Sequence, residues 1–146
     1  MKINKYTTVL VKDKGISYPA ETANSAQAAN DILCRLFKAD RLPSERVWQV
    51  CTNTKLGTVG AFEVGSGSQG RCIVDVQGIA RNALLTGAAG VIIAHNHPSG
   101  DSYPSEDDDK VTKKVQRALD LLDIQLLEHI IITQNGYYSF KEHGRI

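Results

Sequence analysis

The chain has 146 residues and a formal net charge of +1, from 17 basic and 16 acidic side chains. Its length suits a single domain over residues 1–146 with a real hydrophobic core. With 42% apolar and 23% charged residues it falls outside the disordered, collagen-like and coiled-coil classes, and its balanced charge favours neither nucleic acid nor an anionic membrane as partner.

Residues 6–11 (YTTVLV) predict a short strand. A helix is expected from Asn24 or Ser25, either of which can cap it, because Ala29, Ile32, Leu33, Leu36 and Phe37 recur at helical spacing; it must end before Pro43. Residues 45–52 read as a strand, 53–57 as a turn and 58–64 as a second strand. The Gly/Ser-rich stretch 65–70 reads as a solvated hairpin loop. A strand over 72–76 and a helix ending near Gly87 follow. Val91–Ala94 is a continuous apolar run, as in a strand buried on both faces.

After an irregular segment holding Pro98, Gly100 and Pro104, a strong helix starts at Ser105. Val111, Val115, Ala118, Leu119 and Leu122 form its apolar stripe. Residues 126–132 and 137–140 close the chain as strands around Asn135-Gly136. Strands and helices interleave throughout, which predicts an α/β fold with a mixed sheet covered by helices on both sides. Nothing approaches the roughly 20 apolar residues of a membrane-spanning helix, and the first 15 residues lack the apolar block of a signal peptide. Cys34, Cys51 and Cys72 are an odd set without CxxC spacing. They read as buried thiols of a reducing compartment, so a cytoplasmic location is expected.

Chemistry concentrates in residues 94–109. His95 and His97 lie two apart at the end of a buried strand, so both rings project to one side, where two imidazoles can share a metal ion. A single histidine is usually structural, but a His-x-His at a strand end followed by Pro and Gly is hard to explain by packing. The following helix offers a third ligand: Ser105 is its natural cap and Asp108 lies in its first turn, with Asp101 as a loop alternative. Three protein ligands leave a fourth position for water, as in catalytic zinc sites; the same two-histidine, one-carboxylate set also suits Fe(II). Glu106, Asp107 and Asp109 have an ordinary explanation as solvated carboxylates at a helix N-terminus. His129, beside Glu128 in a strand pattern, reads as a satisfied buried residue, and His143 as solvated.

His95-x-His97, seven residues and Ser105-x-x-Asp108 match the JAMM (MPN+) metalloprotease signature. The string His-Asn-His-Pro-Ser-Gly-Asp resembles its RadC branch, over about residues 44–146. The resemblance implies a cytidine-deaminase-like three-layer core, one Zn2+ per chain on His95, His97 and Asp108, and a catalytic glutamate at the start of an earlier strand. Glu45 matches that position; spacing alone does not choose it over Glu63. The family's Pro-Arg-Glu-like stretch is replaced by Val76-Gln77-Gly78, and its Asp before His129 by Glu128. RadC proteins commonly carry an N-terminal helix-hairpin-helix region, for which this chain has no room.

The expected activity is zinc-dependent hydrolysis of amide bonds in a peptide or protein substrate. Glu45 would carry the proton, and Ser105 would donate to the oxyanion. Strong nucleic-acid binding is not expected. The rivals are a DNA-associated RadC-like protein and a non-catalytic MPN-type module, the latter weakened because the ligand set is complete. A deaminase would need His-x-Glu with Pro-Cys-x-x-Cys, which the cysteines do not supply.

Overall fold

The computed structural model describes residues 1, 3–13, 15, 17, 22–68 and 71–146, apart from the side chains of Ser68, Arg71 and Cys72. Three helices, α1 (Ala26–Phe37), α2 (Val76–Thr86) and α3 (Glu106–Asp120), alternate with six strands: β1 (Arg46–Thr52), β2 (Thr58–Ser68), β3 (Arg71–Val74), β4 (Gly90–Asn96), β5 (Gln125–Thr133) and β6 (Gly136–Ser139). The sheet order is β3-β2-β1-β4-β5-β6, with β4 and β5 parallel across the α3 crossover and every other pair antiparallel. This is the mixed α/β architecture that the interleaved pattern predicts, consistent with a JAB/MPN fold.

The strands' two-residue period divides the core between the faces. Trp48 and Val50 of β1, Ile92 and Ala94 of β4, and Ile130 and Ile132 of β5 pack with Ala29, Ile32 and Leu33 of α1. Val47, Cys51, Val91 and Ile93 turn the other way, toward Ile79 and Ala83 of α2 and Val115 and Leu119 of α3. A side chain such as Leu33, fully buried, gains roughly 1.5–3 kcal/mol from leaving water. α1 and α3 start where expected, at the Ser25 and Ser105 caps, whereas α2 takes Val76, expected in the strand over 72–76, because Asp75 caps the helix one residue earlier. The Ser25 hydroxyl accepts the Ala28 amide, Asp75 accepts that of Gly78, and Gly87 closes α2 in the left-handed region (φ 65°).

Two expectations fail. Residues 6–11 form no strand: the segment is exposed and has no pairing partner among the described residues, and β-propensity builds a strand only beside a neighbour that accepts its hydrogen bonds. Of the expected loop, Gly65 to Ser68 belong to β2, while Gln69 and Gly70 lie outside the described residues. Gly65 is there for close approach: a Cβ would collide with the Ile73 carbonyl and crowd Val47. A smaller departure concerns the thiols. Cys51 is buried, but Cys34 is only half-buried; burial first, then the charge of Asp40, pushes its pKa up to about 11. The side chain of Cys72 lies outside the described residues.

Candidate metal centre

His95 continues the Val91, Ile93 side of β4 toward α3, and His97 follows just past the strand end. Val47 pairs with His95, so Glu45, two residues earlier on the antiparallel strand's approach, falls on the same side of the sheet. Topology alone thus brings Glu45, His95 and His97 together, with ligand atoms all within 4.8 Å of one another. Asp108 arrives from α3. Its carboxylate closes a capping box, with Oδ2 accepting the Ser105 amide (2.7 Å) and hydroxyl (2.8 Å). The same carboxylate sets Oδ1 3.1 Å from His95 Nε2 and Oδ2 3.7 Å from His97 Nε2.

Hydrogen bonds fix which nitrogens face this point. Thr112 Oγ1 donates to the Asp108 carbonyl (2.6 Å) and is left to accept from His129 Nδ1 (2.6 Å). Burial drives the pKa of His129 well down, so this ring is neutral. Its Nε2 therefore accepts the Nδ1–H of His95 (2.9 Å), which turns the lone pair of His95 Nε2 toward the centre. His97 donates Nδ1–H to the Asp101 carbonyl (2.7 Å) and presents Nε2 in the same way. The two Nε2 atoms stand 3.0 Å apart. Lone pairs and a carboxylate converging like this need a cation between them, whether a proton or a metal ion. The separations of 3.0, 3.1 and 3.7 Å bracket the ~3.3 Å expected between ligands of a tetrahedral ion bound at ~2.0–2.1 Å, so the residues fit a small metal ion. Asp108 is held well below the usual carboxylate range. Burial raises its pKa, but with a proton as that cation the hydrogen bond and charge on the His95 side, together with the two bonds from Ser105, outweigh it.

The cavity over this point measures about 420 Å³ and is walled by Glu45, Val47, Ile73, Val74, His95, Ser105, Asp107, Asp108 and Lys110, among others. Ser105 lines it while serving as the cap of α3. Glu63, the alternative to Glu45, instead pairs with Arg46 at 2.6 Å. Asp101 contributes its carbonyl to His97, and its carboxylate holds the Tyr103 amide. His129 is buried, as expected. Glu128 is buried too, accepting the His129 and Lys141 amides and the Ser139 hydroxyl. Glu106 and Asp107 are exposed, and so is His143, although it stacks on Tyr138. Asp109 is not a free carboxylate: Arg145 grips both its oxygens at 2.9 and 2.7 Å. Sequence reasoning missed the part played by Thr112. A threonine four residues after Asp108 is the only signal it leaves, and that spacing has many uses.

A mixed α/β sheet with a His/Glu cluster at the end of a central strand defines a JAB/MPN-type domain. Comparison with known proteins agrees: the model of the RadC-like JAB domain family matches residues 23–145, and the chain belongs to that family. It is 36% identical to a UPF0758 protein of Thermotoga maritima over 105 residues, 72% of this chain and 47% of the relative. A UPF0758 protein of Flavobacterium johnsoniae is 39% identical over 70% of this chain and 45% of its own length. The UPF0758 protein YfjY of Escherichia coli is 34% identical over 92% of this chain and 79% of its own length. The chain thus spans about half the length of the first two relatives. Among the described residues no helix is long and apolar enough to cross a membrane.

Proposed function

We propose that this domain is a zinc-dependent hydrolase of amide bonds, a peptidase or isopeptidase. His95, His97 and Asp108 would hold one Zn2+. The observation that carries this reading is the convergence of two imidazole Nε2 atoms, 3.0 Å apart, on the Asp108 carboxylate beside Glu45. Zinc held there would supply Lewis-acid polarisation of the scissile carbonyl and acidify the attacking water. Glu45, half-buried on the cavity wall, would take that water's proton and pass it to the leaving amine. The Ser105 hydroxyl would turn from Asp108 Oδ2 to the developing oxyanion, an interaction worth roughly 3 kcal/mol in comparable sites. Asp108 would keep the Ser105 amide as a partner throughout. His129 and Thr112 would hold the His95 ring in its working tautomer.

A peptide or protein substrate is favoured over nucleic acid by local charge. Among the described residues that line the cavity, Glu45, Asp107 and Asp108 face the ammonium of Lys110, an arrangement that repels phosphodiesters and leaves a neutral carbonyl unaffected. DNA and RNA binding should therefore stay in the weak range, roughly 10⁻⁴ to 10⁻⁶ M at physiological salt. Fluorescence anisotropy with oligonucleotides checks this, and nanomolar affinity that falls steeply with salt would favour a DNA-associated role.

The decisive test is elemental analysis of purified protein followed by cleavage of peptide and isopeptide libraries. Glu45→Gln should retain zinc and fold while losing about 10²–10⁴-fold in turnover. Iron in place of zinc would change the metal assigned. Unchanged cleavage by Glu45→Gln would move the proton-carrying role to another residue.

A further inference from the structure

His95 and His97 flank a residue that the metal cluster does not use. Asn96 follows the alternation of β4 onto the α1 face, the face of Ile92 and Ala94, and is 2% exposed. Its polar atoms all end on one short segment of backbone. Oδ1 accepts the Arg46 amide at 2.7 Å; Nδ2 donates to the Ser44 carbonyl at 3.1 Å and the Leu42 carbonyl at 3.4 Å. Ser44 and Arg46 bracket Glu45, so the amide grips the chain on both sides of that carboxylate. From the opposite direction, the Glu45 carbonyl accepts the Gly67 amide at 2.8 Å, which ties the same residue to β2.

No ladder bond does this work on the β4 side, because the β1–β4 register begins at Val47↔His95 and leaves residues up to Arg46 without a partner there. An amide side chain, with an acceptor on one edge and two donors on the other, replaces the missing rungs. Aspartate would keep the bond to Arg46 but turn an acceptor toward two carbonyls. Alanine would leave three backbone groups without their partner.

We propose that Asn96 is a positioning residue for Glu45. The end of β4 carries His95 toward α3, with His97 just beyond it, and, through the residue between them, fixes how far Glu45 stands from both. This rests on the assignment of Glu45 as proton carrier made above. The coupling matters because a displacement of about 1 Å at a reacting group can cost about 100-fold in rate.

The test uses carboxyl-carbon NMR of the full chain, with the Glu45 signal assigned by its loss in Glu45→Gln and Zn2+ alone as the probe. In the wild type, one equivalent of zinc should shift the Glu45 signal. Asn96→Ala should still take up one equivalent, since the three ligands are untouched, but the zinc-induced shift of Glu45 should be lost; Asn96→Asp should keep part of it. A full wild-type shift in zinc-loaded Asn96→Ala overturns the proposal. Should the alanine variant fail to fold, Asn96→Asp carries the same comparison. Backbone hydrogen exchange in the wild type adds a reading that no folding defect can confuse. The Arg46 amide should exchange as slowly as the paired interior of β1, and exchange at open-loop rates overturns the clamp. A wild-type Glu45 signal indifferent to zinc would sink the proton-carrier reading instead. The clamp is then judged on metal-free protein, where Asn96→Ala must still move the Glu45 signal and an unmoved signal overturns it.

Discussion

The two faces of the sheet treat the same strand differently. On the α1 face, β4 presents Ile92, Ala94 and Asn96; on the α2/α3 face it presents Val91, Ile93 and His95. Both faces bury their apolar residues equally well. They part at the strand's C-terminal end. Asn96 has its donor and acceptor engaged with backbone, whereas His95 uses one nitrogen on His129 and turns the other toward His97 and Asp108. A polar residue satisfied by backbone stabilises a fold, and one left with a lone pair aimed at other lone pairs is prepared for a ligand. The difference is set by what packs opposite. The loop before β1 offers Asn96 amides and carbonyls, while α3 offers His95 a carboxylate in its first turn.

The sharpest way to break this comparison is to remove the ligands on the α3 side. His95→Ala or Asp108→Ala should abolish stoichiometric zinc binding while the α1-side core stays intact. Elemental analysis and thermal unfolding measure the two halves of that statement. Both variants retaining a full equivalent of metal would disprove the ligand set.

The opposite substitution belongs on the α1 face. Ile92→Ala, at a residue 2% exposed, should cost about 2–5 kcal/mol of folding stability through lost burial and the cavity left behind. Zinc stoichiometry in the folded fraction should stay at one. Denaturant titration beside metal analysis reads both, and loss of zinc without loss of stability would show that the faces are not independent.

A smaller effect sharpens the role of what stands behind His95. His129→Ala removes the acceptor that orients the His95 ring, and zinc affinity should fall about 10–100-fold with stoichiometry retained. Competition against a chromophoric chelator gives the number. An unchanged affinity would mean that the packing around His95, and not its hydrogen bond to His129, sets its orientation.

Much of this protein is legible in its residues. The stripe of α1, the apolar run of β4, the capping residues Ser25 and Ser105 and the turn at Asn135-Gly136 all predict the elements found, because each depends on neighbours close in sequence. Strand alternation puts His95 and His97 on one side, and the capped helix offers Asp108, beside Asp101 in the loop, as a candidate third ligand. Where the reading failed, the cause was a distant partner. YTTVLV has the composition of a strand and, among the described residues, no neighbour to pair with. Gly65 has the look of a loop, yet a glycine is needed there because Ile73 and Val47 approach from other strands.

What the sequence by itself determined is therefore the local grammar: helix starts, buried strands and two imidazoles projecting to one side. What only the tertiary structure decided is selection among chemically equal candidates. Glu45 and Glu63 are both glutamates in or near strand patterns. The β1–β4 register carries Glu45 to the histidines, and Arg46 draws Glu63 into an ion pair. Asp101 and Asp108 are both aspartates near the histidines, and only the geometry of the α3 cap points a carboxylate at their nitrogens. The physical reason is that a ligand set is defined by distances of about 3 Å between atoms far apart in the chain. Periodicity fixes the direction of a side chain, but only the packing of strand against strand and helix against sheet fixes that distance.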